Sequence, residues 1–99
     1  MKLDILAFGA HPDDVELGAG ATIAKEISLG KKIGIIDLTQ GELGTRGSKE
    51  LRKIEATNAA EILGVSVREN LKFADGFFMN DNEHRLEIIK MIRKYQPEI

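Results

Sequence analysis

Gly9-Ala10-His11-Pro12-Asp13-Asp14-Val15-Glu16 joins an apolar run, Leu3 to Phe8, to a segment with helical spacing. The run is continuous in hydrophobicity and bounded by glycine, the pattern of a buried strand. Pro12 suits a first helical position, where its missing N–H costs nothing. Asp13 and Asp14 would then fall in the first turn, where the helix dipole favours carboxylates. A histidine and two carboxylates are thus gathered at the carboxyl end of a first strand. In open α/β sheets ligands bind there.

Downstream, Pro12 to Ser28 reads as a first helix, with Ala21, Ile23, Ala24 and Ile27 as its apolar side and Gly30 just past its end. Gly18 and Gly20 fall inside it, at roughly 1 kcal/mol each relative to Ala, which predicts close packing on the sheet. A second strand is expected over Lys32 to Leu38, followed by a glycine-rich loop to Ser48. Ser48 is the expected N-cap of a second helix, Lys49 to Leu63, with Leu51, Ile54, Asn58, Ile62 and Leu63 as its inward stripe. A third strand is expected near Glu69 to Phe73. Asn80 and Glu83 resemble a capping box opening a third helix that runs to Tyr95. Its Leu86, Ile88, Ile89, Met91 and Ile92 make a wide apolar face.

This β-α-β-α-β-α alternation argues an α/β, Rossmann-like fold with a mainly parallel sheet and right-handed crossovers. The first strand is expected to be central, with His11, Asp13 and Asp14 lining one crevice. Tyr95-Gln96-Pro97-Glu98-Ile99 reads as a helix end, a proline stop and the first residues of a further strand. The chain is therefore read as a single N-terminal portion, residues 1–99, of a longer catalytic domain. The open side of the first strand and the apolar third helix predict self-association into a homo-oligomer.

Ninety-nine residues make one domain at most, and the 42% hydrophobic and 30% charged content is ordinary for a globular chain. A net charge of −2 gives no electrostatic footprint for nucleic acid or an anionic membrane surface. The absence of cysteine excludes disulfides and thiolate metal sites and fits a reducing compartment. No signal-peptide pattern or long apolar run is present, so a cytoplasmic chain is expected.

A catalytic zinc site uses three protein ligands and keeps one position open. His11 and Asp14, three residues apart across a helix start, can both point into the crevice, leaving Asp13 free as a general base. The competing structural reading has His11 capping the helix and both aspartates merely complementing its dipole. Arg46 in the glycine-rich loop suits a substrate carboxylate through a bidentate contact, or a solvated loop position. His84, in a charged context, reads as a solvated surface residue.

Gly9 to Gly18 resembles the signature of the LmbE-like (PIG-L) family of zinc-dependent de-N-acetylases, which act on N-acetylglucosamine conjugates. The resemblance continues through Asp37-Leu38-Thr39, Gly41-Glu42, Leu51-Arg52-Lys53 with Glu55, Ile62-Leu63-Gly64-Val65 and Asp75-Gly76. Within the family it looks most like the bacillithiol biosynthesis deacetylases, whose substrate is N-acetylglucosaminyl malate. It implies a three-layer α/β/α fold, Zn²⁺ as cofactor, His11 and Asp14 as metal ligands, and Asp13 as the base acting on a zinc-bound water. It further implies substrate contacts from Arg52 and from Asp75, the latter to a sugar hydroxyl.

The family's third zinc ligand belongs to a His-x-Asp-His motif beyond a fourth strand, and no such motif occurs in these residues. The 99-residue chain alone is thus expected to bind zinc poorly and to be weak or inactive. A second reading is a receiver-like signalling module with Mg²⁺ in the acidic loop, for which Asp75 is the only available phospho-acceptor.

Overall fold

The computed structural model describes residues 1–99. Three parallel strands, β1 (Ile5–Gly9), β2 (Ile33–Thr39) and β3 (Val67–Phe73), alternate with α1 (Asp14–Ser28), α2 (Lys49–Leu63) and α3 (Asn82–Tyr95). The sheet order is β1-β2-β3, with Ile5 opposite Ile33 and Gly34 opposite Val67. Ile35 and Ile36 of β2 are fully buried and point to opposite faces. Burying each contributes roughly 1.5–3 kcal/mol.

One face packs Val15 and Ile23 of α1 on Ile33 and Ile35. The other packs Tyr95 and Met91 of α3 with Leu3 and Leu6 on Ile36. Helices α1 and α2 touch each other above the first face, so three layers result. The Tyr95 hydroxyl donates to Glu69 of β3, and Leu3 N–H donates to the Tyr95 carbonyl at 2.9 Å.

Several sequence expectations are corrected. Within this chain the central strand is β2, and β1 lies at the edge. Ile99 N–H donates to the Asp4 carbonyl at 3.1 Å and Leu6 N–H to the Ile99 carbonyl at 2.9 Å, a parallel ladder pattern on the outer side of β1. Helix α1 starts at Asp14, not Pro12, because Asp14 N–H closes a turn onto the His11 carbonyl and Asp13 has a non-helical backbone. Gly18 and Gly20 face open space, where an added Cβ would meet nothing within 4 Å, so close packing does not explain them. Ala21 and Ala24 are exposed.

Helix α2 has the expected bounds: Ser48 Oγ accepts from Leu51 N–H at 3.1 Å, and Gly64 adopts φ 83° at the C-cap. Its orientation differs. The small residues Ala56 and Ala60 face inward, leaving Leu51, Ile54 and Ile62 exposed. The N-cap of α3 is Asp81, which accepts from His84 N–H at 3.0 Å, while Asn80 is drawn aside by Arg85. His84 is not solvated: its ring packs edge-on to Phe73 at 4.5 Å and its Nδ1 lies 2.6 Å from Asp81 Oδ1. The apolar face of α3 is split, with Met91 and Tyr95 on the sheet and Leu86, Ile89 and Ile92 exposed.

Candidate active site

The site is assembled where β1 and β2 end. Gly9 permits the approach of α1, since a Cβ there would lie 3.0 Å from Val15 Cγ2 and 3.3 Å from Asp14 Cβ. The Ala10 carbonyl accepts from both Thr39 N–H (3.1 Å) and Thr39 Oγ (2.8 Å), tying the loops after β1 and β2 together. Asp13 then takes φ 126°, ψ −20° as the N-cap of α1, with no side-chain capping bond. A non-glycine residue there stores roughly 1–3 kcal/mol of strain, and such strain clusters at functional sites.

His11 sits between two carboxylates. Its Nδ1 is 3.3 Å from Asp14 Oδ2, and its Nε2 is 2.7 Å from Asp75 Oδ1. The same Asp14 Oδ2 accepts from His11 N–H at 2.9 Å. Asp75 Oδ2 accepts from Leu43 N–H at 3.0 Å, and Asp75 N–H donates to Glu42 Oε2 at 3.1 Å. A β-bulge after Asp37, with Lys72 at φ 58°, ends the β2–β3 ladder just before Asp75.

The electrostatics follow from these contacts. The Asp75 hydrogen bond, with Asp14 adding to it, holds the His11 imidazole above its usual pKa. The Leu43 N–H, then His11, hold the Asp75 carboxyl below the usual range. Lost hydration, then the Asp14 carboxylate, push Asp13 up. That is the direction a general base needs to work near neutrality.

Arg52 enters from α2. An added Cβ would lie 2.9 Å from its Nη1 at Gly41 and 2.4 Å from its Nη2 at Gly44, so the guanidinium rests on two bare backbone segments. It shares a cavity of about 440 Å³ with His11, Asp13, Asp75 and Gly76. Arg46 is exposed and lies outside that cavity. The structure therefore brings His11, Asp13, Asp14, Arg52 and Asp75 together and leaves Arg46 apart.

Sequence reasoning missed a buried ion cluster beneath the site. Arg68 of β3 donates from Nε (2.8 Å) and Nη2 (3.0 Å) to the two oxygens of Asp37, and its Nη1 lies 3.0 Å from Glu16 Oε2 of α1. The available signal was Asp37 itself, a carboxylate inside the apolar run Ile33 to Leu38. Asp37 and Arg68 line a second cavity of about 300 Å³ between α2 and β3, which holds none of the five residues above.

Two donors about 2.0–2.1 Å from one tetrahedral zinc lie roughly 3.3 Å apart. The His11 Nδ1–Asp14 Oδ2 separation of 3.3 Å fits two corners of such a shell. No group of three His, Cys, Asp or Glu side chains is placed to hold a metal ion. Asp75, 6% exposed with both oxygens hydrogen-bonded, is badly placed as the phospho-acceptor of a receiver.

Diacetylchitobiose deacetylase of Thermococcus kodakarensis is 36% identical over 102 residues, covering 96% of this chain and 38% of that protein. The conserved protein TT1542 of Thermus thermophilus superposes with a TM-score of 0.90 at 43% identity, covering 96% of this chain and 43% of the other. GalB, the 4-carboxy-2-hydroxymuconate hydratase of Pseudomonas putida, gives a TM-score of 0.85 at 32% identity, covering 100% and 45%. The chain thus spans about two fifths of the length of the relatives it matches. No helix is long and apolar enough to cross a membrane. Residues 6–99, which include the whole His11 to Asp14 turn, Arg52 and Asp75, match PIG-L, the GlcNAc-PI de-N-acetylase family, and the chain belongs to it.

Proposed function

We propose that this chain is the N-terminal portion of a zinc-dependent deacetylase catalytic domain that removes the acetyl group from an N-acetylglucosamine conjugate. The observation that carries the reading is the paired placement of His11 Nδ1 and Asp14 Oδ2 beside a strained Asp13 in the cavity that holds Arg52. His11 and Asp14 would hold the metal, with a third ligand supplied from outside these residues. When bound, zinc supplies Lewis acidity toward the amide carbonyl and the attacking water. Asp13 takes a proton from that water as it adds to the carbonyl carbon, then returns it to the nitrogen as the C–N bond breaks. Arg52, which has no carboxylate partner within 4 Å, directs its donors toward the sugar. N-acetylglucosaminyl malate is the proposed substrate, and a small-molecule conjugate of this kind suits a cavity of about 440 Å³.

The test uses the complete protein, with the third ligand present, and measures zinc binding and acetate release on N-acetylglucosaminyl malate and diacetylchitobiose. Asp14→Ala is expected to weaken zinc binding. Asp13→Asn is expected to keep zinc and slow acetate release by roughly 10²–10⁴. Loss of zinc in Asp13→Asn, with metal and acetate release intact in Asp14→Ala, would reverse the two roles. The likeness to GalB supports a second reading, a hydratase on the same fold. Hydration of 4-carboxy-2-hydroxymuconate without acetate release from either sugar would select it.

A further inference from the structure

We infer that Asp75 acts as a positioning residue, fixing the tautomer of His11 so that Nδ1 and Asp14 stay free for a metal. The inference rests on the reading above, in which Nδ1 is the metal-facing atom. Asp75 is 6% exposed, which leaves little of its carboxylate for a sugar hydroxyl to reach. One of its oxygens is committed to Leu43 N–H, which can only donate. The other stands 2.7 Å from His11 Nε2.

A carboxylate at that distance requires Nε2 to carry the hydrogen. The neutral ring then presents a lone pair at Nδ1, the form in which histidine binds metals. Without Asp75 the alternative tautomer is favoured: an Nδ1–H would donate to Asp14 Oδ2, already 3.3 Å away. That internal hydrogen bond would block the Nδ1 lone pair and add a second donor to Asp14 Oδ2, which already accepts from His11 N–H. Asp75 therefore works from behind the ring to keep the pair open. Its second oxygen simultaneously pins the 41–44 loop on which Arg52 rests, linking the metal side of the cavity to the substrate side.

The experiment is ¹⁵N NMR of the imidazole rings in the metal-free chain, above the pH at which His11 titrates, with chelator competition for zinc alongside. The unsubstituted chain should show His11 as the Nε2–H tautomer. Asp75→Ala, checked for a dispersed amide spectrum, should move it toward Nδ1–H and lower zinc affinity about 10–100-fold. Finding Nδ1–H in the unsubstituted chain overturns the inference, whether or not the variant folds. A folded Asp75→Ala with unchanged tautomer and zinc affinity but weakened sugar binding also overturns it, and returns Asp75 to the substrate. If the tautomers behave as expected but zinc binds neither form even in the complete protein, where the third ligand is present, the deacetylase reading fails while the positioning of His11 by Asp75 stands.

Discussion

A methyl group on Gly44 would sit 2.4 Å from Arg52 Nη2 and 3.0 Å from its Cζ. The guanidinium is the far end of a flexible side chain and can move, while the Gly41 carbonyl oxygen at 3.1 Å is backbone and must give slightly, so Gly44→Ala should displace the arginine with a small adjustment of the loop. Affinity for the N-acetylglucosamine conjugate should fall by about the same factor as in Arg52→Ala. The double variant should be no worse than either single one, because both act through the same contact. Additive losses in binding titrations would show that the loop contributes independently of Arg52.

The Arg68–Asp37 pair is held more deeply than any other ion pair of the chain, with side chains 10% and 2% exposed. Arg68→Ala should cost roughly 3–5 kcal/mol in denaturant unfolding, since it strands Asp37 and Glu16 together. Burial, only partly opposed by Arg68, already holds the Asp37 carboxyl above the usual carboxylate range. The folded state therefore holds that proton more tightly than the unfolded chain. Its contribution is fully present below the unfolded pKa of about 3.9 and is lost as pH rises through the folded value. The variant should sharpen this trend, recovering stability on mild acidification.

Asp81 behaves in the opposite sense. The His84 N–H, then the His84 ring, hold its carboxyl below the usual range. Its contribution is present above the unfolded pKa and lost as pH falls through the depressed folded value. Protection of the amides at the start of α3, measured relative to intrinsic exchange, should fall below about pH 4 in the unsubstituted chain. Asp81→Ala should show low protection there at every pH, and equal protection in both forms at neutral pH would refute the cap.

Leu86, Ile89 and Ile92 of α3 are exposed. Apolar faces of this kind recruit other chains. The chain should self-associate at high concentration, and Ile89→Lys should shift the equilibrium toward monomer in light scattering. A monodisperse unsubstituted monomer would count against this.

What could be read from the chain beforehand divides along a physical line. Local signals were legible: Ser48 and Gly64 mark the ends of α2 because capping chemistry acts within a few residues. The contiguous turn His11 to Asp14 announced itself for the same reason. Burial was harder. Periodicity identified Leu51, Ile54 and Ile62 as one side of α2, but the sheet receives Ala56 and Ala60, because the helix approaches by its small residues. Charged neighbours around His84 suggested solvent, yet Phe73, eleven positions earlier, supplies the contact. Arg68 lies opposite Ile35 in the β2–β3 register, so its reach to Asp37 depends on strand pairing that no single segment encodes. Arg52 and Asp75 entered through family resemblance, since their meeting with His11 spans some sixty residues of chain.

The backbone of Asp13, at φ 126°, has a consequence for any effort to make this protein hardier. Glycine adopts that conformation freely, so Asp13→Gly would release strain that the native residue carries. Selection for thermal endurance alone would therefore favour discarding the proposed base. Selection for turnover would preserve it at a standing thermodynamic disadvantage. Position 13 is where the two pressures pull the same codon in opposite directions, and a library scored for both properties should split there first.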